Sequence, residues 1–200
     1  VWNDNVACRI GWTCDYHLDI NTQMNYWIAE LTGIPECHLP LLHWIERTLV
    51  PSGRHTAATL YGLPGWVAHI FSNPWGFTAP GWSIWWGMHP TGGAWVATHL
   101  WDHFAFSGDT RFLAEVAYPT LREAAEFFLA YLVEDSATGW LLSGPSNSPE
   151  NQFLYDGRPY AVCMAPTADR ILIHELFAEC IEASRILGID ESLRARIAAA

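Results

Sequence analysis

The sequence predicts an all-α fold, a toroid of helical hairpins carrying long functional loops. Three observations lead there: apolar residues recur at helical spacing in several separate runs, Gly and Pro bound those runs, and no segment alternates convincingly as a β-hairpin would. In chain order the runs are Met24 to Leu31, Pro40 to Leu49 and Ala94 to Phe106. They continue with Leu113, Val116, Leu121, Ala124, Phe127, Phe128 and Leu132, then Ile173, Leu176, Phe177, Cys180 and Ile181, and end with the helical run Glu191 to Ala200. Each spacing gathers apolar side chains on one face, which a second helix must cover. No repeat of fixed period and no second domain boundary is legible, so residues 1–200 read as a single domain.

Composition excludes several function classes. Half of the 200 residues are hydrophobic, enough for a sizeable core and too many for a disordered linker. Ten Lys and Arg stand against 21 Asp and Glu, a formal charge of −11 that repels phosphate backbones and anionic lipid surfaces. Neither nucleic acid nor a membrane is therefore expected as a partner. No apolar stretch reaches the roughly 18 to 20 residues of a membrane span. Twelve Trp is well above ordinary usage; such rings stack on sugar faces while their N–H groups bond hydroxyls. The plainer reading puts most of them in the core. The five cysteines, Cys8, Cys14, Cys37, Cys163 and Cys180, lack CxxC spacing and do not decide the compartment. The chain opens at Val1-Trp2-Asn3 and stops within a helical run, so it is expected to be cut from a longer protein.

Chemistry is expected on three loops, Cys14 to Tyr26, Asn73 to Trp95 and Ser143 to Gln152. In the last, Glu150 stands among hydroxyls, amides and prolines. A Glu at a pocket edge is held protonated by partial desolvation and serves as a proton donor; the alternative is a solvated turn acid. In the first loop, an extended backbone would set His17, Asp19 and Asn21 on one side, where a carboxylate beside an amide positions a water. Alternatively Asn21 or Thr22 only caps the following helix. His99 and His103 stand at i, i+4, a metal-ligand spacing, but no HExxH motif or third ligand accompanies them. The expectation is helix packing and no metal. No GxSxG elbow, phosphate loop or catalytic Cys context occurs.

Taken together, three motifs resemble glycoside hydrolase family 95, the inverting α-L-fucosidases with some α-L-galactosidases. They are HLDINTQMNYW from His17 to Trp27, the stretch from Gly65-Trp66-Val67-Ala68-His69 through Gly92-Gly93-Ala94-Trp95 to Trp101, and PSNSPEN from Pro145 to Asn151. The resemblance implies an incomplete (α/α)6 toroid, with this chain its N-terminal part, and an oligosaccharide substrate cleaved without metal or organic cofactor. It implies Glu150 as general acid, His17 as a sugar contact and Asn21 as a water-orienting amide. Trp82, Trp86, His89 and Asn151 fall where the sugar pocket is expected. Asp19 replaces the family's first Asn, and the general base is implied further toward the C-terminus, outside these residues. Asp169 matches a recurrent family Asp, explained here by helix dipole and capping. The parent protein is expected to be secreted or periplasmic. The rival readings are another α-toroid enzyme, such as a phosphorylase, and a non-catalytic sugar-binding relative.

Overall fold

A computed structural model describes residues 15–81 and 83–200. The architecture is predominantly helical, as the periodicity predicts. Helix α1 is Asn21–Leu31, α2 is a continuous helical run over 39–61, and α3 is the short Ile84–Gly87. Helix α4 is Gly92–Ser107, α5 a continuous run over 110–131, α6 Thr167–Leu187 and α7 Glu191–Ala199.

The two longest interrupted runs explain themselves through proline. In α2 a widened π turn, Ile45–Leu49, precedes Pro51; in α5 the π turn Leu113–Ala117 precedes Pro119. Proline has no N–H to donate and its ring crowds the carbonyl four residues back, so a wide turn at that point lets the helix continue. Other ends follow familiar chemistry. Asp109 caps α5 by accepting from the N–H groups of Arg111 at 2.9 Å and Phe112 at 3.0 Å. Gly108 and Gly188 close α4 and α6 in the left-handed conformation, at φ 66° and 67°.

Helix α5 packs on α6, and α4 touches α1, α5 and α6, so α4 lies centrally. The core between them contains Leu42, Ile45, Leu49, Trp66, Leu100, Leu121, Phe127, Phe128 and Leu176, all fully buried. Burial of side chains of this size contributes roughly 1.5–3 kcal/mol each. The N-terminus of α4 is seated by Gly92 and Gly93. A Cβ on Gly93 would stand 2.8 Å from both Ala68 N and Trp66 Cζ3, and the Gly93 N–H donates to Ala68 O at 2.8 Å. The Gly-Gly pair therefore lets helix α4 dock directly on the 66–70 backbone.

Two sequence expectations are corrected. A tight β-hairpin does occur, pairing Phe153–Tyr155 with Arg158–Tyr160. Asp156 and Gly157 make its turn at φ 48° and 70°, the Asp-Gly signature of a two-residue connection. Three further two-stranded pairs are each only two residues long. Nor are most tryptophans core: among the described residues only Trp66 is fully buried, while Trp27, Trp75, Trp85, Trp86 and Trp140 are exposed. Among the described residues no helix is long and apolar enough to cross a membrane.

Candidate functional site

The first motif begins as a strand and turns into a helix. Tyr16–His17 pairs antiparallel with Phe71–Ser72, Tyr16 opposite Ser72 and His17 opposite Phe71, and the Leu18 N–H donates to Ile70 O at 2.7 Å. Extended backbone stops at His17; Asp19 lies in a turn and Asn21 is the first residue of α1. The period-two picture of His17, Asp19 and Asn21 on one strand face is thus replaced by a strand–turn–helix corner. The bend is forced through Ile20 at φ 140°, a strained conformation for a β-branched residue, set directly between the two polar candidates. Asn21 does not cap the helix. Ile20 is the N-cap, its N–H donates to Gln23 Oε1 at 3.2 Å, and Gln23 Nε2 donates to Leu18 O at 2.9 Å. The capping alternative for Asn21 therefore falls, because Gln23 performs that task.

At the corner, His17 Nε2 stands 2.7 Å from Asp15 Oδ1, and His17 Nδ1 3.8 Å from Asp19 Oδ1. The His17 ring meets Phe71 edge-on. Burial holds the Asp19 carboxyl above the usual carboxylate range; His17 and a backbone hydrogen bond oppose that shift, while Glu150 and Asp15 add to it. The contribution from Glu150 places the first and third motifs within electrostatic reach of each other across most of the chain.

The third motif is folded against the Trp-rich loop. Ser146–Asn147 pairs with Val162–Cys163, the Asn147 N–H donates to Met88 O at 2.9 Å, and Asn147 Nδ2 donates to Trp85 O at 3.0 Å. Glu150 follows in an exposed turn, and the Asn151 N–H closes that turn on Ser148 O at 2.6 Å. Trp86 is exposed on α3, and Trp82 lies outside the described residues. His89 is buried, with Nδ1–H donating to Asn147 O at 3.3 Å. Desolvation pushes its pKa down to about 4, so the ring is neutral and braces the loop from within.

Beneath both loops sits a residue the sequence reading set aside. Asp169, in the first turn of α6, is fully buried, and its Oδ1 accepts from Ser146 Oγ at 2.9 Å and Thr91 Oγ1 at 3.1 Å. Its place in the first turn agrees with the dipole explanation. Its side chain, however, ties α6 to the Glu150 loop and to the start of α4. Burial raises its pKa to about 6, against the hydrogen bonds of Ser143, Ser146 and Thr91. Asn147 and Ser146 are thus supporting residues that sequence reasoning missed, as it missed the tie that Thr91 and Asp169 make between elements. Ser146 and Asn147 lay in plain view inside PSNSPEN, overshadowed by its single carboxylate.

His99 and His103 do not join this arrangement. They point from α4 toward His38 and Glu30.

The exposed turn at Glu150 matches the solvated-turn alternative and not a desolvated pocket edge. The profile of the Glycosyl hydrolase family 95 catalytic domain matches residues 1–200. Alpha-L-fucosidase 2 of Arabidopsis thaliana is 38% identical over 204 residues, covering 100% of this chain and 24% of that protein. Probable alpha-fucosidase A of Aspergillus niger is 37% identical over 185 residues, covering 91% of this chain and 23% of that protein. The chain therefore spans about a quarter of the length of these relatives. Its profile match and these identities, on top of the three motifs, establish that the chain belongs to the glycosyl hydrolase family 95 catalytic domains.

Proposed function

We propose that the full-length protein containing this chain hydrolyses terminal α-L-fucosyl, or closely related α-L-galactosyl, linkages in oligosaccharides with inversion of configuration. What supports this reading is the family membership together with the electrostatic influence of Glu150 on Asp19, two residues of motifs far apart in sequence. Glu150 protonates the glycosidic oxygen as the leaving group departs. Asn21, with Asp19 beside it, orients the attacking water, and His17 contacts the sugar. Trp86, Trp82, His89 and Asn151 belong to the pocket wall or its support. In an inverting enzyme the two working carboxyls stand about 6.5–9.5 Å apart to admit water. Asp19 is read as standing on the water side, and burial holds its carboxyl above the usual carboxylate range.

Residues 1–200 are read as the N-terminal part of an (α/α)6 toroid. The apolar residues that α1 leaves exposed, Met24, Trp27, Ile28 and Leu31, together with Ile171 on α6, support a cover of further helical hairpins. The test of function is release of free L-fucose and L-galactose from a panel of α-linked oligosaccharides by the full-length protein. Release of neither sugar would sink the reading. The replacement of the family's first Asn by Asp19 favours one rival, a sugar-binding relative without turnover; calorimetry showing fucose binding without hydrolysis would establish it.

A further inference from the structure

A second polar cluster lies away from the Glu150 loop, where α1, the start of α2 and α4 meet. Glu30 Oε1 is 2.8 Å from His38 Nδ1 and 2.7 Å from His103 Nδ1, so two imidazoles from different elements converge on one carboxylate oxygen. All three ligand-capable atoms lie within 4.8 Å of one another, and all three side chains are buried. His38 Nε2 is in turn 2.7 Å from His99 Nδ1. We propose that Glu30, His38 and His103 form a binding site for one divalent transition-metal ion of the zinc type, which fixes α1 to α4.

The donor set fits that class. Two imidazole nitrogens and one carboxylate oxygen suit Zn2+ and its neighbours, whereas Mg2+ and Ca2+ prefer oxygen donors throughout. Ligand atoms at about 2.0–2.1 Å from a tetrahedral zinc stand about 3.3 Å apart. The two short contacts therefore open by about half an ångström to admit the ion. Without metal, each ring donates its Nδ1 proton to Glu30. With metal, each ring keeps one proton but carries it on Nε2, and His38 then donates to His99 Nδ1, the outer contact that orients a ligating imidazole.

The geometry itself favours an ion over a purely structural polar network: imidazoles from two different elements share one buried carboxylate oxygen, with one ligand atom from each of the three residues inside a 4.8 Å cluster. Glu30 stands nine residues along α1 from Asn21, about 13 Å, so the ion stabilises the scaffold and takes no part in hydrolysis.

The experiment uses the full-length protein, stripped with a chelator and titrated with Zn2+ alone by calorimetry, with Co2+ as a visible-absorption probe. One ion per chain is expected at this site, with a rise in melting temperature. Glu30→Gln and His103→Gln should each weaken binding by about a hundredfold, while His43→Gln, an exposed histidine on α2, leaves it unchanged. Should these variants fail to fold, X-ray absorption at the zinc edge of the loaded wild type decides, with two imidazoles in the coordination shell expected. No stoichiometric uptake, uptake unaffected by both ligand substitutions, or a shell without two imidazoles would overturn the proposal. None of these readouts depends on turnover, so its failure is separable from that of the hydrolase reading.

Discussion

Ser146 donates a hydrogen bond to Asp169 across 2.9 Å, and Thr91 donates to the same carboxylate oxygen across 3.1 Å. A single buried acid on α6 thereby sets the height of the Glu150 loop relative to the N-terminus of α4. Replacing it with alanine strands two buried hydroxyls, each costing about 1–3 kcal/mol when unsatisfied. Asp169→Ala is expected to lower the melting temperature of the full-length protein and to reduce kcat at least tenfold. Asp169→Asn, which keeps an acceptor, should restore most of both. Melting curves and steady-state kinetics on the two variants check this.

The same residue gives a pH dependence of defined sign. Well below pH 3.8 Asp169 is protonated whether the chain is folded or unfolded. As pH rises, the unfolded state loses its proton first, because burial raises the folded pKa from 3.8 to about 6. Stability therefore falls between about pH 4 and pH 6 and levels off above. At 1.36 kcal/mol per pKa unit the difference amounts to about 3 kcal/mol. Asp169→Asn should lack this component, so its stability relative to wild type should improve between pH 4 and pH 7 when unfolding is followed across that range.

Asp19 stands where the family motif has an amide, and burial holds its carboxyl above the usual carboxylate range. Asp19→Asn is therefore expected to keep activity within about tenfold of wild type while changing the pH profile, since a titrating group leaves the site. A loss of about a thousandfold in kcat would make Asp19 the proton acceptor.

Gly93 admits no side chain, since a Cβ would lie 2.8 Å from the Ala68 backbone nitrogen and from the Trp66 ring. Gly93→Ala should destabilise by about 1–3 kcal/mol through overpacking, measured by chemical denaturation, although alanine is the better helix former.

Helical runs were legible because their period is local: Leu121, Phe127, Phe128 and Leu176 sit in the core as their spacing predicts. The corner at Asp19 was not, because only the strained φ of Ile20 and the Gln23 cap, both set by packing onto Phe71 and Ile70, end the strand at His17. Glu150 was visible through its motif, whereas the tethering role of Asp169 was not, because its partners Thr91 and Ser146 come from distant loops. The Glu30–His38–His103 cluster escaped for the same reason. His103 suggested a ligand pair with His99, while the actual convergence is on an acid from α1.

The most direct measurement is turnover by the full-length Glu150→Gln variant on natural α-L-fucosides and on substrates with activated leaving groups. Loss of a general acid removes about 10²–10⁴ in rate, and an activated leaving group needs little protonation. The expected result is a fall of that size in kcat on natural linkages with much of the rate retained on activated ones. Normal turnover on both would contradict the assignment of Glu150.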